Sequence, residues 1–304
     1  MEPIRHLMYC PWTGLGLYGG FRGNRWLKNR IKIFKHFVVP SLRSQTSKNF
    51  MLWCSWRREE RYNSIVQEFI RYLNNNVREF STIHTYTGVC FWDDKYSDEV
   101  AHERLLSAIH GAMGTLVNVV SECRDVLMTI QPSDDCYVSD FVENIQKLFN
   151  EQPVQALGFN RGYVMNYRTL EMAEWNPDTM PPFFTIKFPR EVFIDPLAHV
   201  NYTGPYKSHE YIGLKLKFGT IKERGFLVGT HGENIGTVFN HPFAGAVVDK
   251  AILSKFGLGT VLPIKIKISW RKILLRKLPY RIQRKLRYLF GEEIFEKIYA
   301  FLRS

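Results

Sequence analysis

The sequence predicts an α/β protein built on a mostly parallel sheet with helices on both faces. Two observations carry this. Strand-like apolar runs alternate with helix-like amphipathic segments through the first 150 residues, in the order β-α-β-α-β-α-β-α. Such an order joins successive strands by crossovers, which makes them parallel and covers the sheet on both sides. A third observation permits it: 304 residues with 45% hydrophobic content supply an ample core.

The elements follow in order along the chain. His6 to Cys10 is a short apolar run, read as the first strand. A glycine-rich loop, Gly14 to Gly23, comes next. Leu27, Ile31, Phe34 and Val38 then recur at helical spacing, and Pro40 bends or ends that helix. Phe50 to Cys54 is the second strand, and Ile65, Val66, Phe69, Ile70 and Leu73 mark the second helix. Ser81 to Tyr86 is the third strand. A long amphipathic helix runs from Leu105 to Val120. Val126 to Ile130 is the fourth strand, closed by Gln131-Pro132, and Phe141, Ile145, Leu148 and Phe149 lie on the helix after it.

The second half is less regular. Ala156 to Tyr167 reads as a hairpin turning at Asn160-Arg-Gly162. Pro177 to Pro189 reads as loop-rich, Phe226 to His231 as a strand, and Ala246 to Phe256 as a short helix.

Ligands of open parallel sheets bind outside the carboxyl ends of the strands. The fourth strand delivers Ser133-Asp134-Asp135 to that edge. Adjacent carboxylates there can hold a hard divalent cation, Mn²⁺ or Mg²⁺, which would neutralise a departing nucleoside diphosphate. The alternative is a helix cap, with Ser133 or an aspartate satisfying free backbone N–H groups. The glycine-rich loop has neither a dinucleotide-binding turn nor a P-loop lysine. Its length suits closure over a nucleotide, and Arg22, Arg25 and Arg30 are candidates for the diphosphate, or else surface arginines. Trp92-Asp93-Asp94 is a second acidic pair near the same edge, or a polar turn.

The segment Arg30-x-x-x-Phe34-x-x-Phe37-x-x-Pro40-Ser-Leu-x-x-Gln45-Thr46-x-x-x-Phe50 resembles the rhamnosyltransferase group of bacterial GT-A-like glycosyltransferases. His231-Gly-Glu-Asn234 resembles their His-Gly-x-Asn segment. The likeness covers roughly residues 5–150 and an island near 226–245. It implies a GT-A-like catalytic domain over 1–262 using a nucleotide-sugar donor, with a deoxysugar among the donors it suggests. It implies Asp135 and His231 as metal ligands, with His241 a second histidine candidate. Ser133 and Asp134 would lie at the diphosphate, and Asp93 or Asp94 at the nucleoside. One departure stands out: the related pattern usually reads Asp-x-Asp-Asp, and here Pro132 occupies the first acidic position. Basic side chains could then neutralise the diphosphate instead of a metal. An inverting transferase also needs a carboxylate to deprotonate the acceptor hydroxyl. Glu210 in Ser208-His-Glu210 is the choice for this role, ahead of Glu233 and Asp195.

The charge is unevenly placed. Of a net +12, the last 40 residues supply +9, from twelve basic and three acidic residues. Residues 263–304 therefore read as a basic, amphipathic helical tail suited to an anionic membrane surface, with packed helices as the alternative. Five cysteines without a CxxC pair fit a reducing compartment. With no recognisable secretory signal and no long apolar run, these features lead us to expect a cytoplasmic enzyme on the inner membrane face. Its acceptor would be a glycan or a lipid-linked saccharide in surface polysaccharide synthesis. A nucleic-acid-binding protein using the basic tail, or a catalytically inert GT-A relative, are the rival readings. No nucleic-acid motif supports the first, so no nucleic-acid partner is expected.

Overall fold

The computed structural model describes residues 4–12, 23–91, 97–178, 180–204, 211–232, 234, 239, 249–266 and 289. Its first half carries the expected alternation: β1 (Ile4–Pro11), α1 (Asn24–Ile33), α2 (Val39–Arg43), β2 (Met51–Ser55), α3 (Ser64–Asn76), β3 (Ser81–Thr85), α4 (Asp98–Val119) and β4 (Asp125–Ile130). β1 pairs in parallel with β2 on one side and β4 on the other, and β2 pairs in parallel with β3. The chain thus builds outward from β1 to β3 and then returns to place β4 on the far side of β1. Such a reversal of strand order opens a crevice between the carboxyl ends of β1 and β4.

The side chains of β1 explain why its run is continuously apolar. Met8 and Cys10 enter one core with α1 and α3, while Leu7 and Tyr9 enter a second core with α4. A strand buried on both faces cannot alternate polar and apolar positions. One polar cluster sits within this packing. The His6 imidazole is 2.7 Å from the Thr129 hydroxyl, which is 2.6 Å from that of Thr185.

Pro40 does not end its helix. A π turn over Phe34–Val38 links α1 to α2, with the Val39 N–H bonded to the Phe34 carbonyl. The wider turn accommodates a proline that has no N–H to give, and Pro40 lies in the first turn of α2 instead.

The second half adds β5 (Cys136–Tyr137), α5 (Phe141–Glu151), β6 (Ala156–Phe159), β7 (Gly162–Asn166), β8 (Met172–Trp175), β9 (Phe184–Pro189), α6 (Arg190–Ile194), α7 (Pro196–Thr203), α8 (Ile212–Lys215), β10 (Phe218–Ile221) and β11 (Phe226–Thr230). The large sheet has the order β10-β6-β9-β4-β1-β2-β3, and a smaller sheet has the order β5-β11-β7-β8. In the large sheet β9 is antiparallel to both its neighbours, β4 and β6.

Two expectations are corrected here. Residues 156–167 form no hairpin: β6 joins the large sheet and β7 the small one, so the turn passes the chain between sheets. Gly162 allows this because a Cβ there would come within 2.6 Å of the Phe226 ring and carbonyl. The loop-rich stretch 177–189 contains β9, a buried strand with Phe184, Ile186 and Phe188 in the core. The expected short helix is a 3₁₀ helix over Lys250–Phe256, and residues 246–248 lie outside the described residues. The tail beyond residue 266 also lies outside them, apart from residue 289.

Candidate functional site

Gln131, at the carboxyl end of β4, anchors the turn that follows. Its backbone N–H donates to the Tyr9 carbonyl of β1 at 2.7 Å. Its side-chain amide donates to the Pro132 and Asp135 carbonyls, both at 2.9 Å. The turn holding Ser133, Asp134 and Asp135 is therefore pinned over the crevice between β1 and β4. Ser133 is buried within it.

Asp134 is the hub. Its Oδ2 is ion-paired with the Arg30 guanidinium of α1. The same oxygen lies 3.1 Å from His231 Nε2 and accepts from the Asn234 side-chain amide at 3.2 Å. Asn234 also donates to the Gly229 carbonyl at 2.6 Å and accepts the His231 backbone N–H at 2.7 Å. Tyr167, stacked on Phe37 at 3.6 Å between ring centroids, donates its hydroxyl to the Asp134 carbonyl at 2.8 Å. Asp134 thereby joins three stretches distant in sequence: α1, the turn after β4, and the end of β11.

The neighbouring carboxylate has a different environment. Asp135 is buried, and its Oδ1 accepts the Gly229 N–H at 2.9 Å. Burial and the adjacent Asp134 charge push its carboxyl well above the usual range, against that hydrogen bond. Burial would also raise Asp134, but the Arg30 charge and the His231 hydrogen bond outweigh it and hold that carboxyl at about 2. The two adjacent acids are driven in opposite directions, one ionised and one toward its neutral form.

This arrangement does not suit a resident divalent cation. A metal needs deprotonated oxygens with open lone pairs. Asp134 Oδ2 already meets a guanidinium, an imidazole and an amide, and Asp135 Oδ1 is taken by a backbone N–H. The structure sets His231 against Asp134 Oδ2, one residue before Asp135. Among the described residues no group of three or more His, Cys, Asp or Glu side chains is placed to hold a metal.

Of the other expected residues, Arg25 lies exposed on α1. Asp195 caps α7, accepting the Ala198 N–H at 2.8 Å. Arg22, Asp93, Asp94, Glu210, Glu233 and His241 lie outside the described residues. A groove of about 550 Å³ runs along α5, floored by Phe141, Ile145 and Phe159, and none of the Asp134 network lines it.

Sequence reasoning passed over Gly229, Tyr167 and Asn234 as site residues. Gly229 carried a signal, since an isolated glycine within a strand marks close backbone approach. A Cβ there would stand 2.2 Å from the Tyr167 ring and 2.4 Å from the Asp134 carbonyl. Asn234 was visible too, three residues beyond His231 in the His-Gly-x-Asn segment.

No protein-family model matches the sequence, and no curated protein matches it. Solved structures resemble the chain at low identity. Residues 1–349 of S. aureus TarS match with a TM-score of 0.38 and 14% identity, over 75% of this chain and 60% of that one. The same TarS fragment in complex with UDP-GlcNAc matches with 0.39 and 11%, over 76% and 59%. A Desulfovibrio desulfuricans G20 protein described as a nucleotide-diphospho-sugar transferase matches with 0.34 and 13%, over 76% and 84%. The chain therefore spans about 60% of the length of the TarS fragments it matches.

Proposed function

We propose that the chain is a glycosyltransferase that takes a sugar from a nucleotide-diphosphate donor at the carboxyl edge of its large sheet. One observation carries this reading: a charged hub at Asp134 stands where the strand order reverses between β1 and β4, with Arg30 and His231 drawn to it from both halves of the chain. The GT-A-type likeness in sequence supports it.

In this reading Arg30 supplies the positive charge that a diphosphate leaving group requires, and Asp134 and His231 hold Arg30 in place. No step is assigned to a metal. Glu210 remains the proposed base, Asp93 and Asp94 the proposed nucleoside contacts, and Arg22 and Arg25 further diphosphate contacts. The acceptor is proposed to be a glycan or lipid-linked saccharide, with the basic tail holding the enzyme at the cytoplasmic face of a membrane.

A panel of uridine-, thymidine- and guanosine-diphosphate sugars, each with Mn²⁺ or with EDTA, tests this. Donor hydrolysis or a raised melting temperature with at least one sugar nucleotide, retained in EDTA, is the expected result. Binding that appears only with Mn²⁺ refutes the role given to Arg30. If no sugar nucleotide is hydrolysed or shifts melting, the transferase reading fails and an inert relative takes its place.

A further inference from the structure

The exposed face of α1 has a charge pattern that helix formation does not explain. Arg25, Lys28 and Lys32 are exposed, and Lys35 follows in the π turn half-buried; their spacings of three, four and three set them along one side. Trp26, Leu27, Ile31 and Ile33 are buried on the other side. No acidic residue occurs between Glu2 and Glu59, so the helix carries no negative charge of its own. Lys28 and Lys32, four apart, repel each other. The first turn holds no acid, and Arg25 faces the positive end of the helix dipole. Local choices that each work against the helix mark a surface with another task.

A second feature meets the first at the same place. The strap of residues 261–266 is fastened beside the stripe, with Lys32 Nζ donating to the Lys265 carbonyl and His36 Nε2 donating to the Leu262 carbonyl, both at 2.7 Å. Leu262 is 69% exposed, and Pro263 and Lys265 are exposed with it. Basic side chains and an exposed apolar side chain thus share one surface. The strap leads into Lys265–Tyr288, which holds ten basic residues and no acid. On the flanks Lys35 lies over the Tyr72 ring, Arg43 is paired with Glu79, and α3 contributes Glu68 and Arg71.

We infer that the α1 stripe and the 261–266 strap form a docking face for anionic lipid headgroups. This goes beyond the tail, because it places a membrane contact on the folded body. None of its residues is in the Asp134 network, and Lys28, Lys32 and Lys35 have no part in the proposed transfer reaction, which of this stripe involves Arg25 alone. Basic charge beside an exposed leucine and proline fits a headgroup boundary. Single-stranded nucleic acid would call for exposed aromatic faces among the charges, and the one aromatic residue of α1, Trp26, is buried on the other side; duplex DNA is distinguished in the test below. Arg30 lies on the same helix, facing inward. The proposed sugar-transfer site would then sit about one helix diameter, roughly 10 Å, from the membrane surface, within reach of an acceptor carried on a lipid.

Co-sedimentation of the full chain with phosphatidylcholine vesicles, with and without phosphatidylglycerol, tests the inference. Wild type is expected to bind only the anionic vesicles, and less in high salt. Each lysine removed is expected to weaken binding about fivefold, so Lys28→Gln/Lys32→Gln loses roughly 25-fold. Lys28→Gln alone should leave the melting temperature unchanged or raise it, because repulsion within α1 is relieved, whereas Lys32→Gln also removes the bond to the Lys265 carbonyl. Arg276→Glu/Lys277→Glu measures the tail separately. Unchanged vesicle binding in the α1 variant, with loss only in the tail variant, overturns the inference. So does equal binding to neutral vesicles, or an α1 variant that loses duplex DNA binding rather than vesicle binding. Should the double variant melt early, Lys28→Gln alone, with its expected fivefold loss, decides the matter.

Discussion

The two halves of this chain solve different problems. From β1 to β4 each strand is followed by the helix that covers it, and every pairing is parallel. From β5 onward the chain crosses between two sheets and mixes directions: β9 runs antiparallel to β4 and β6, while β11 is parallel to β7 and antiparallel to β5. The Asp134 network lies where the halves meet. The first half supplies Arg30, Asp134 and Asp135, and the second supplies Tyr167, Gly229, His231 and Asn234. The large sheet's parallel half repeats one unit, strand then covering helix, whereas the site forms only once β7 and β11 of the second sheet lie beside the turn after β4.

Acid should distinguish the two most strongly. Burial lowers the His6 imidazole to about 3 and the His84 and His199 imidazoles to about 4. Above the ordinary histidine value both folded and unfolded chains hold these rings neutral, and stability is flat. Below pH 6.5 only the unfolded chain takes up the protons, so stability falls with pH until each folded value is reached. Each histidine contributes up to about 1.4 kcal/mol per pH unit. Three of them can offset a typical domain's stability of roughly 5–15 kcal/mol within two or three units. Asp134 should still be ionised when this happens, so the sheet fails before the site's charges do. Circular dichroism melts between pH 7.5 and 4 check this. His199→Phe, in a pocket already lined by Phe91, Phe188 and Phe193, should move the acid midpoint lower. An unmoved midpoint would show that His199 does not titrate on unfolding.

Breaking the hub is the next largest effect. Asp134→Ala leaves the buried Arg30 guanidinium and His231 without their carboxylate, and should cost about 3–5 kcal/mol. Arg30→Met/Asp134→Leu removes both charges and should recover much of that loss, because an apolar pair carries no desolvation debt. Urea denaturation of both variants measures the difference. A double variant as unstable as the single one would mean that the ion pair is not what Asp134 contributes.

At Gly229 the crowding is backbone as well as ring, so Gly229→Ala should cost roughly 1–3 kcal/mol. Gly114, in α4 with open space around it, gives the contrast: Gly114→Ala should stabilise by about 0.5–1 kcal/mol. Similar melting temperatures for the two variants would contradict the close approach of β11 to the turn after β4.

The same division decides what could be read in the sequence. β1 to β4 were legible because each is an apolar run followed by its own covering helix. β9 was not, because Pro181 and Pro182 precede it and Pro189 ends it, which disguises a buried central strand as loop. The 156–167 hairpin was misread because both of its strands are genuine, but β6 pairs with β9 and β10 while β7 pairs with β8 and β11. At the site, the acidic pair and His231 could be picked out as residue types at a strand end. Which carboxylate His231 meets could not, since that depends on how β11 packs beside the turn after β4. The chemistry was visible one residue at a time, and the wiring only in three dimensions.

Tyr167 gives the finest test of that wiring. Its ring is fixed by stacking on Phe37 and its hydroxyl reaches the Asp134 carbonyl, with Cys136 Sγ 3.7 Å away. Tyr167→Phe keeps the stack and removes only the hydroxyl. The loss should be about 1 kcal/mol, the usual net worth of one hydrogen bond. The effect should fall on the turn after β4, because the Asp134 carbonyl then has one donor fewer. Amide hydrogen exchange across residues 131–137 should therefore quicken, while that of β1 to β3 stays unchanged. Faster exchange spread evenly over the large sheet would mean that Tyr167 supports the core as a whole and not the Asp134 turn in particular.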